Sequence, residues 1–483
     1  MKHSTYMLPL YALNNFLMKN ISILMLGLLL FSNSYAQKKS KTPESVSQLI
    51  AGPMLGYVEH REARIWVAGI FGHQDKLVYY PVNEPQKKVE IGLNSFSSFP
   101  FDVAQYGKTL FLNNLDMATT YQYELWLNGK KMEFEQPLQF TTKTIWEWRT
   151  DPPAFSFLAG SCLYVNDSIH DRPGKPYGQG TDILLTMAKS NANFMLWLGD
   201  NTYTREADYT SESGLAYRYL HTRSDKNLQP LLRTMPHYAT WDDHDFGTNN
   251  GGRSYELKDA SRHMFTLFWP ARSYGENNEG IYTRFKYGDC EFFMLDDRYF
   301  RDDTDMDENK YPQKSQLGEK QKIWVKNALK DSHAPFKFVV IGGQFLNEYT
   351  TKESYNLYKN EREELLNFIA DQKIEGIVFL SGDRHHTELL KNAKFKSKTG
   401  YDIYDLTSSP LSSGANINVF RDSLEANNPM RIKGTLVAEP NYCQLFLSGK
   451  RKERVLTIKC FTAKGDLKWE QRISEAELRA SRP

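Results

Sequence analysis

Several apolar, strand-like runs in this chain stop abruptly at side chains that can hold a metal ion. "FSFLAGSC" ends at Cys162, "FMLWLGDNTY" at Asp200 with Tyr203 close behind, and "HYATWDDHD" at Asp242, Asp243 and His244. "FKFVVIGGQ" ends at Gln344, and "GIVFLSGDRHH" at Asp383, His385 and His386. Thiolate, carboxylate, phenolate and imidazole groups all coordinate cations, and ligands of open α/β sheets bind beyond the carboxyl ends of the strands. Singly, each has an ordinary alternative: a core thiol, a turn-capping Asp, a packed Tyr, a surface His pair, a charged loop. The same polarity switch at five strand ends points instead to one shared metal site.

Such strand ends need a scaffold to gather them. After "WEWRTDPP" (146–153) the strand-like runs alternate with helical patterns: "TDILLTMAKS", "SGLAYRYLHTR", "ELKDASRHMFTLFW", "KQKIWVKNALK" and "EREELLNFIADQ". That alternation predicts βαβ units with largely buried strands. "RVLTIKCFTAKGDLKWEQRI" reads as a hairpin around Lys-Gly-Asp. Over residues 50–142 the pattern is different, with short alternating strands, turn residues and no convincing helix, which predicts a small β-sandwich. "LNNLDMATTYQYELWLNG" carries a Tyr just inside a late strand, after a turn. It resembles the tyrosine corner of fibronectin type III and immunoglobulin-like domains.

A chain of 483 residues is long for one core, so two domains are expected. A formal net charge of +2 gives no argument for nucleic acid or an anionic membrane as partner. "MKNISILMLGLLLFSNSYAQ" has a Lys-bearing start, an apolar stretch over 23–31 and a small-residue site, and predicts secretory cleavage after Ala36. Met18 then reads as the natural start. The apolar stretch is too short to span a bilayer comfortably, and Gln37 rather than Cys follows the cleavage site, so neither a transmembrane nor a lipid anchor is indicated. Secreted or periplasmic protein is expected. Export permits disulfides, but there are only four Cys. Cys290, Cys443 and Cys460 sit in strand-like runs, as core thiols or with one bridge among them.

GSC, GDxxY, WDDHD, LDDR and SGDxHH in this order, with "DLTSSP" (405–410), resemble the PhoD-like alkaline phosphatases and phosphodiesterases of the calcineurin-like metallophosphatase superfamily. The resemblance covers nearly the whole mature chain. It implies an α/β fold: a metallophosphatase-type α/β/β/α sandwich (150–476) preceded by an all-β fibronectin III-like domain (49–145), after a signal peptide (1–36) and a linker (37–48). It further implies a ferric ion and a calcium ion as cofactors, with other divalent ions as alternatives. On the matching positions, Cys162, Tyr203 and His385 would be ligands of the iron. Asp200 would bridge the two ions, and Asp243 and Asp383 would serve the calcium. His244 occupies the place of a catalytic His near the leaving group. Gln344 lies where many relatives have a His ligand, and Asn249 and Asn250 stand further from His244 than in the common family pattern; their roles stay open.

Donor chemistry agrees with that division. Calcium prefers carboxylate, carbonyl and water oxygens, whereas thiolate and imidazole suit transition metals. Phenolate ligation needs a strong Lewis acid, because free Tyr has a pKa of about 10. The implied activity is that of an exported, metal-dependent phosphoric ester hydrolase, with metal-bound hydroxide attacking a phosphomonoester or phosphodiester and His244 assisting the departing oxygen. Arg298 and Arg384 are open between phosphate contact and structural salt bridges. A rival reading is a phosphodiesterase of phospholipase D type, acting on lipid headgroups or cell-wall polymers. From another class comes a cell-surface binding protein on a degenerate phosphatase scaffold, which the intact motif residues argue against. A monomer is expected, with a phosphate-ester substrate and no nucleic-acid partner.

Overall fold

Of the chain, the computed structural model describes residues 47–93, 107–350 and 352–480. The expected signal peptide and all but the end of the linker lie outside them. The first strands are β1 (Gln48–Val58), β2 (Glu62–Ile70), β3 (Lys76–Pro81), β4 (Val89–Gly92), β5 (Lys108–Asn113), β6 (Thr120–Leu127), β7 (Lys130–Lys131) and β8 (Gln139–Thr141). They form two antiparallel sheets, β1-β2-β5 and β4-β3-β6-β7 with β8 on β6. Alternation along these strands turns Ile65, Val67, Leu77, Leu110, Leu125 and Phe140 into one core between the sheets. The Asp116 amide donates to the Tyr121 hydroxyl at 2.8 Å. That contact ties the turn before β6 to the strand, as a tyrosine corner does.

The opposite face of β1 and β2 is not left to solvent. Met54 and Trp66 join the core of the region that follows, with the Trp66 and Phe268 rings 5.4 Å apart.

That region contains β9 (Phe155–Gly160), β10 (Phe194–Leu198), β11 (His237–Thr240), β12 (Thr283–Tyr287), β13 (Cys290–Met294), β14 (Lys337–Val340), β15 (Ile377–Ser381), β16 (Glu388–Lys391), β17 (Tyr404–Thr407), β18 (Asn441–Ser448), β19 (Val455–Thr462) and β20 (Leu467–Ser474). One sheet runs β11-β10-β9-β18-β19-β20 and the other β12-β13-β14-β15-β17-β16. The centres are parallel, β9 to β11 in the first and β13-β14-β15-β17 in the second, while antiparallel strands fill the edges. The expected hairpin is β19–β20, turning at Gly465 with φ 90°. It completes the first sheet rather than standing apart.

Both faces of each sheet are covered, which is why the central strands read as nearly unbroken apolar runs. Successive side chains alternate between layers. Phe157, Leu196, Phe292, Phe338 and Val378 meet between the two sheets. Their neighbours Leu158 and Trp197 face helices Asp182–Ala188, Glu212–Arg223, Leu228–Thr234 and Lys258–Phe268. On the other side Phe293, Val339 and Phe379 face helices Gly318–Asp331, Lys359–Asp371 and Ala393–Thr399. The result is the four-layered α/β/β/α sandwich with an all-β region in front of it. Ring pairs reinforce the central layer, such as Phe157–Phe194 at 4.9 Å and Phe292–Phe338 at 4.8 Å, each adding about 1 kcal/mol beyond area burial.

All four cysteines are buried free thiols; Cys443 and Cys460 face each other across β18 and β19. Among the described residues no helix is long and apolar enough to cross a membrane.

Candidate metal centre

The parallel strands of both sheets deliver their carboxyl ends to one place. Loops from the two sheets are bonded across it: the Ser161 hydroxyl donates to Ser408 O at 2.9 Å, and the Leu411 amide to Ser161 O at 2.8 Å. So close an approach excludes side chains at two strand-end glycines. A Cβ on Gly382 would stand 2.6 Å from Leu198 O, and one on Gly199, where φ is +95°, 2.7 Å from Asp242 Cβ.

Beyond those turns the backbone is strained where the chemistry sits. Cys162 (φ 61°), Asp200 (φ 50°), Asp383 (φ 64°) and His385 (φ 55°) all adopt left-handed conformations. Each costs a non-Gly residue on the order of 1–3 kcal/mol, and such strain clusters at functional sites. The distortion turns these four side chains inward together instead of letting strand alternation separate them.

Around Asp200 two groups of donors form, each with ligand atoms within 4.8 Å of one another: Cys162, Asp200 and His385, and Asp200, Asp243 and His244. Asp200 belongs to both. Tyr203 Oη lies 3.1 Å from His385 Nε2, which adds the phenol to the first group. Cys162 Sγ is 3.7 Å from Asp200 Oδ2. The His244 amide donates to Asp200 Oδ1 at 3.3 Å, and the Asn250 amide to Asp243 Oδ2 at 2.7 Å. Asn250 therefore serves the site through its backbone.

The electrostatics call for cations. Burial, and then the charges of Asp243 and Cys162, push the Asp200 carboxyl well above the usual carboxylate range. Burial pushes the Cys162 thiol to about 11 and Asp383 to about 6. Burial, then Asp200 and Cys162, hold the Tyr203 phenol far above its ordinary value. Such groups ionise together only if positive charge is supplied among them. His244 Nδ1 is buried without a hydrogen-bond partner. The donor set thus fits a transition-metal ion on the Cys162 side and an oxygen-preferring ion beside Asp243.

A cavity of ≈ 760 Å³ opens over this cluster, with Asp200, Asp243, His244, Asp383 and His385 in its wall. Of the other sequence-predicted groups, Asn249, Asn250 and Arg384 also stand in its wall, whereas Asp242, Arg298, Gln344 and His386 turn away. Asp242 accepts from Arg298 Nε at 2.6 Å, and Arg298, wholly buried, also pairs with Glu353 at 2.7 Å. Arg384 is held by Glu425, by Thr350 and by Glu353 O at 2.9 Å. Both arginines thus form buried salt bridges, Arg384 in the cavity wall itself. Gln344 donates to Glu388 at 2.7 Å and Thr407 at 2.9 Å, away from the cavity. His386 is buried against Glu388 at 3.4 Å.

Four contributors were given no role by the sequence. Tyr177 Oη lies 3.1 Å from His385 Nδ1, on the ring edge opposite Tyr203; "PGKPYGQG" around it reads only as a loop. The Ser409 hydroxyl donates to Cys162 Sγ at 3.1 Å and accepts from the His385 amide at 3.0 Å. The polar run after Thr407 was its one signal. Lys352 and Arg421 are exposed at the cavity wall, where Arg384 is already engaged.

Two packed sheets between helices, with clustered acidic donors at the strand ends, place the chain among the metallophosphatase folds. The PhoD-like phosphatase family model matches residues 174–444, more than half of the chain, and the chain belongs to that family. Alkaline phosphatase D of Bacillus subtilis (strain 168) is 28% identical over 246 residues, 41% of this chain and 42% of that protein. The match thus spans about two fifths of the curated relative. A solved structure of PhoD superposes with a TM-score of 0.69 at 17% identity, covering 87% of this chain and 91% of the other. Purple acid phosphatase PPD1 from yellow lupin (Lupinus luteus) seeds does so with 0.61 at 12% identity, covering 87% and 74%. At these identities the likeness is one of fold. Membership of the family implies metal ions.

Proposed function

We propose that this protein is an exported hydrolase of phosphate esters, with Cys162, Asp200, Tyr203, Asp243, Asp383 and His385 holding a ferric ion and a calcium ion and His244 as the catalytic residue. The observation that carries the reading is Asp200, a buried carboxylate shared by two donor groups of different chemistry. Bound there, the ions would supply Lewis acidity towards the phosphate and lower the pKa of water towards neutrality. The chain does the rest. Asp200, fixed by the His244 amide, sets the spacing of the two donor groups. Lys352 and Arg421 face the space left for phosphate oxygens. His244, in the wall of the same cavity, meets the departing oxygen. The N-terminal strands are proposed as a fibronectin III-like module over 49–145, and the catalytic domain as 150–476.

The test is a panel of phosphomonoesters and phosphodiesters assayed with metal analysis, before and after chelation. Full turnover after verified metal removal would rule the reading out. Identity of the ion on the Cys162 side is read by colour. A ferric phenolate gives the purified protein a visible charge-transfer band, and Tyr203→Phe is expected to shift or bleach it. Phe keeps the ring packed at a tilt against His244, whose centroid is 4.3 Å away, so the fold should persist. Identical spectra at identical iron loading would remove Tyr203 from the ligands.

Export rests on the sequence over 18–36. The mature protein is expected to begin near Gln37, and N-terminal sequencing of periplasmic or secreted material checks it; intact cytosolic protein would refute it.

A further inference from the structure

A second chamber of ≈ 990 Å³ adjoins the metal cavity and shares Tyr177, His244 and Asn249 with it. His244, the residue proposed to meet the departing oxygen, therefore faces both spaces. The chamber wall is aromatic. Tyr164 lies 4.9 Å from Tyr177 and 5.0 Å from Tyr203, ring centre to ring centre, and Tyr209 joins them. Its ion pairs are spent on one another: Arg205 on Asp171 at 2.8 Å, while stacking on Tyr164, and Arg172 on Glu206 at 3.2 Å. Lys175, exposed in the same wall, stands outside these pairs. Aromatic faces with satisfied polar edges suit a flat, uncharged ring. The volume far exceeds a small alkyl group and matches ordinary small-molecule sites.

We propose that this chamber binds the alcohol half of the phosphate ester and selects ring-bearing alcohols, such as nucleosides and aryl alcohols, over small alkyl ones. The inference rests on the hydrolase reading and names its substrate class. Water adds to phosphorus, the P–O bond to the alcohol breaks, and the alkoxide takes up a proton as it leaves into the chamber.

Two variants test it on fully metal-loaded protein. Ala415→Trp fills the chamber from a position outside the metal cavity, and Tyr164→Leu removes a stacking face. The substrates are adenosine 5′-phosphate and benzyl phosphate against ethyl phosphate and glycerol phosphate, all with alkoxide leaving groups. The ring-bearing pair is expected to lose about tenfold or more in kcat/KM, and the small pair less than about twofold. Wild-type protein should also bind adenosine alone, and Ala415→Trp should not. Equal losses across both pairs, or adenosine binding that is absent or unchanged by Ala415→Trp, would overturn the chamber's role. Wild-type protein that binds adenosine but hydrolyses no ester would instead sink the hydrolase reading.

Discussion

Asp200→Asn is expected to lower kcat about 10³-fold or more while making the metal-free protein more stable. The first effect follows from position, because on the proposed reading a side chain shared by both donor groups would hold two Lewis acids whose contribution is several kcal/mol of transition-state stabilisation. The second follows from electrostatics. Asp200 is buried among Asp243 and Cys162, which raise its pKa, so an ionised carboxylate there is a cost until metal neutralises it. Asn keeps the oxygen that accepts from the His244 amide. Calorimetry with and without chelator should show the variant melting above wild type when metal-free and below it when metal-loaded. A variant that melts lower than wild type in chelator, with metal content and activity intact, would place Asp200 among structural residues.

The same reasoning gives a pH dependence. Burial raises Asp245 to about 7, and Asp297 and Asp383 to about 6, from an ordinary carboxylate value. A raised folded pKa means that the native state holds these protons more tightly than the unfolded chain. Their contribution is fully present below pH ~4 and is lost as pH rises through about 6 to 7. Metal-free protein should therefore melt lower at pH 8 than at pH 5. Metal-loaded protein should be spared only the Asp383 share of that decline, since deprotonated ligands bind metal more strongly, whereas Asp245 and Asp297, which are not proposed ligands, keep theirs.

His244→Ala should cost about 10²-fold in kcat on alkyl phosphates and distinctly less on p-nitrophenyl phosphate. Burial holds the imidazole below its ordinary pKa, so in the proposed role it would meet the departing oxygen at neutral pH as a neutral ring, through its N–H. An alkoxide is far more basic than nitrophenolate and needs that help more. The leaving-group dependence separates this role from another that the geometry also offers, since His244 groups with Asp200 and Asp243 as a possible ligand. Equal losses on both substrates, accompanied by loss of metal, would assign His244 to the metal rather than to the leaving group.

How much of this was legible in advance differs from residue to residue. Asp200, Asp243, Asp383 and His385 announce themselves, because strand ends in parallel sheets are where ligands gather and a sequence shows where an apolar run turns polar. The mixed α/β class, the β-sandwich and the β19–β20 hairpin follow from periodicity and turn residues in the same way. Within "WDDHD", however, the sequence treats three neighbouring acids alike. The family resemblance singles out Asp243, and the fold gives the physical reason: Asp242 pairs with Arg298, Asp243 lies at the cavity, and Asp245 accepts the Asn201 amide at 3.0 Å. That choice depends on a partner 56 residues away and on the left-handed turns at Asp200 and Asp383, and neither leaves a local trace. Tyr177 was invisible for the same reason, and Ser409 showed only as part of the polar run "DLTSSP". Residue type and local pattern determined which chemistry the chain can support, because ligand atoms and periodicity are local properties. Which side chains share the site was decided by the closure of one sheet's loops on the other's, a long-range packing event.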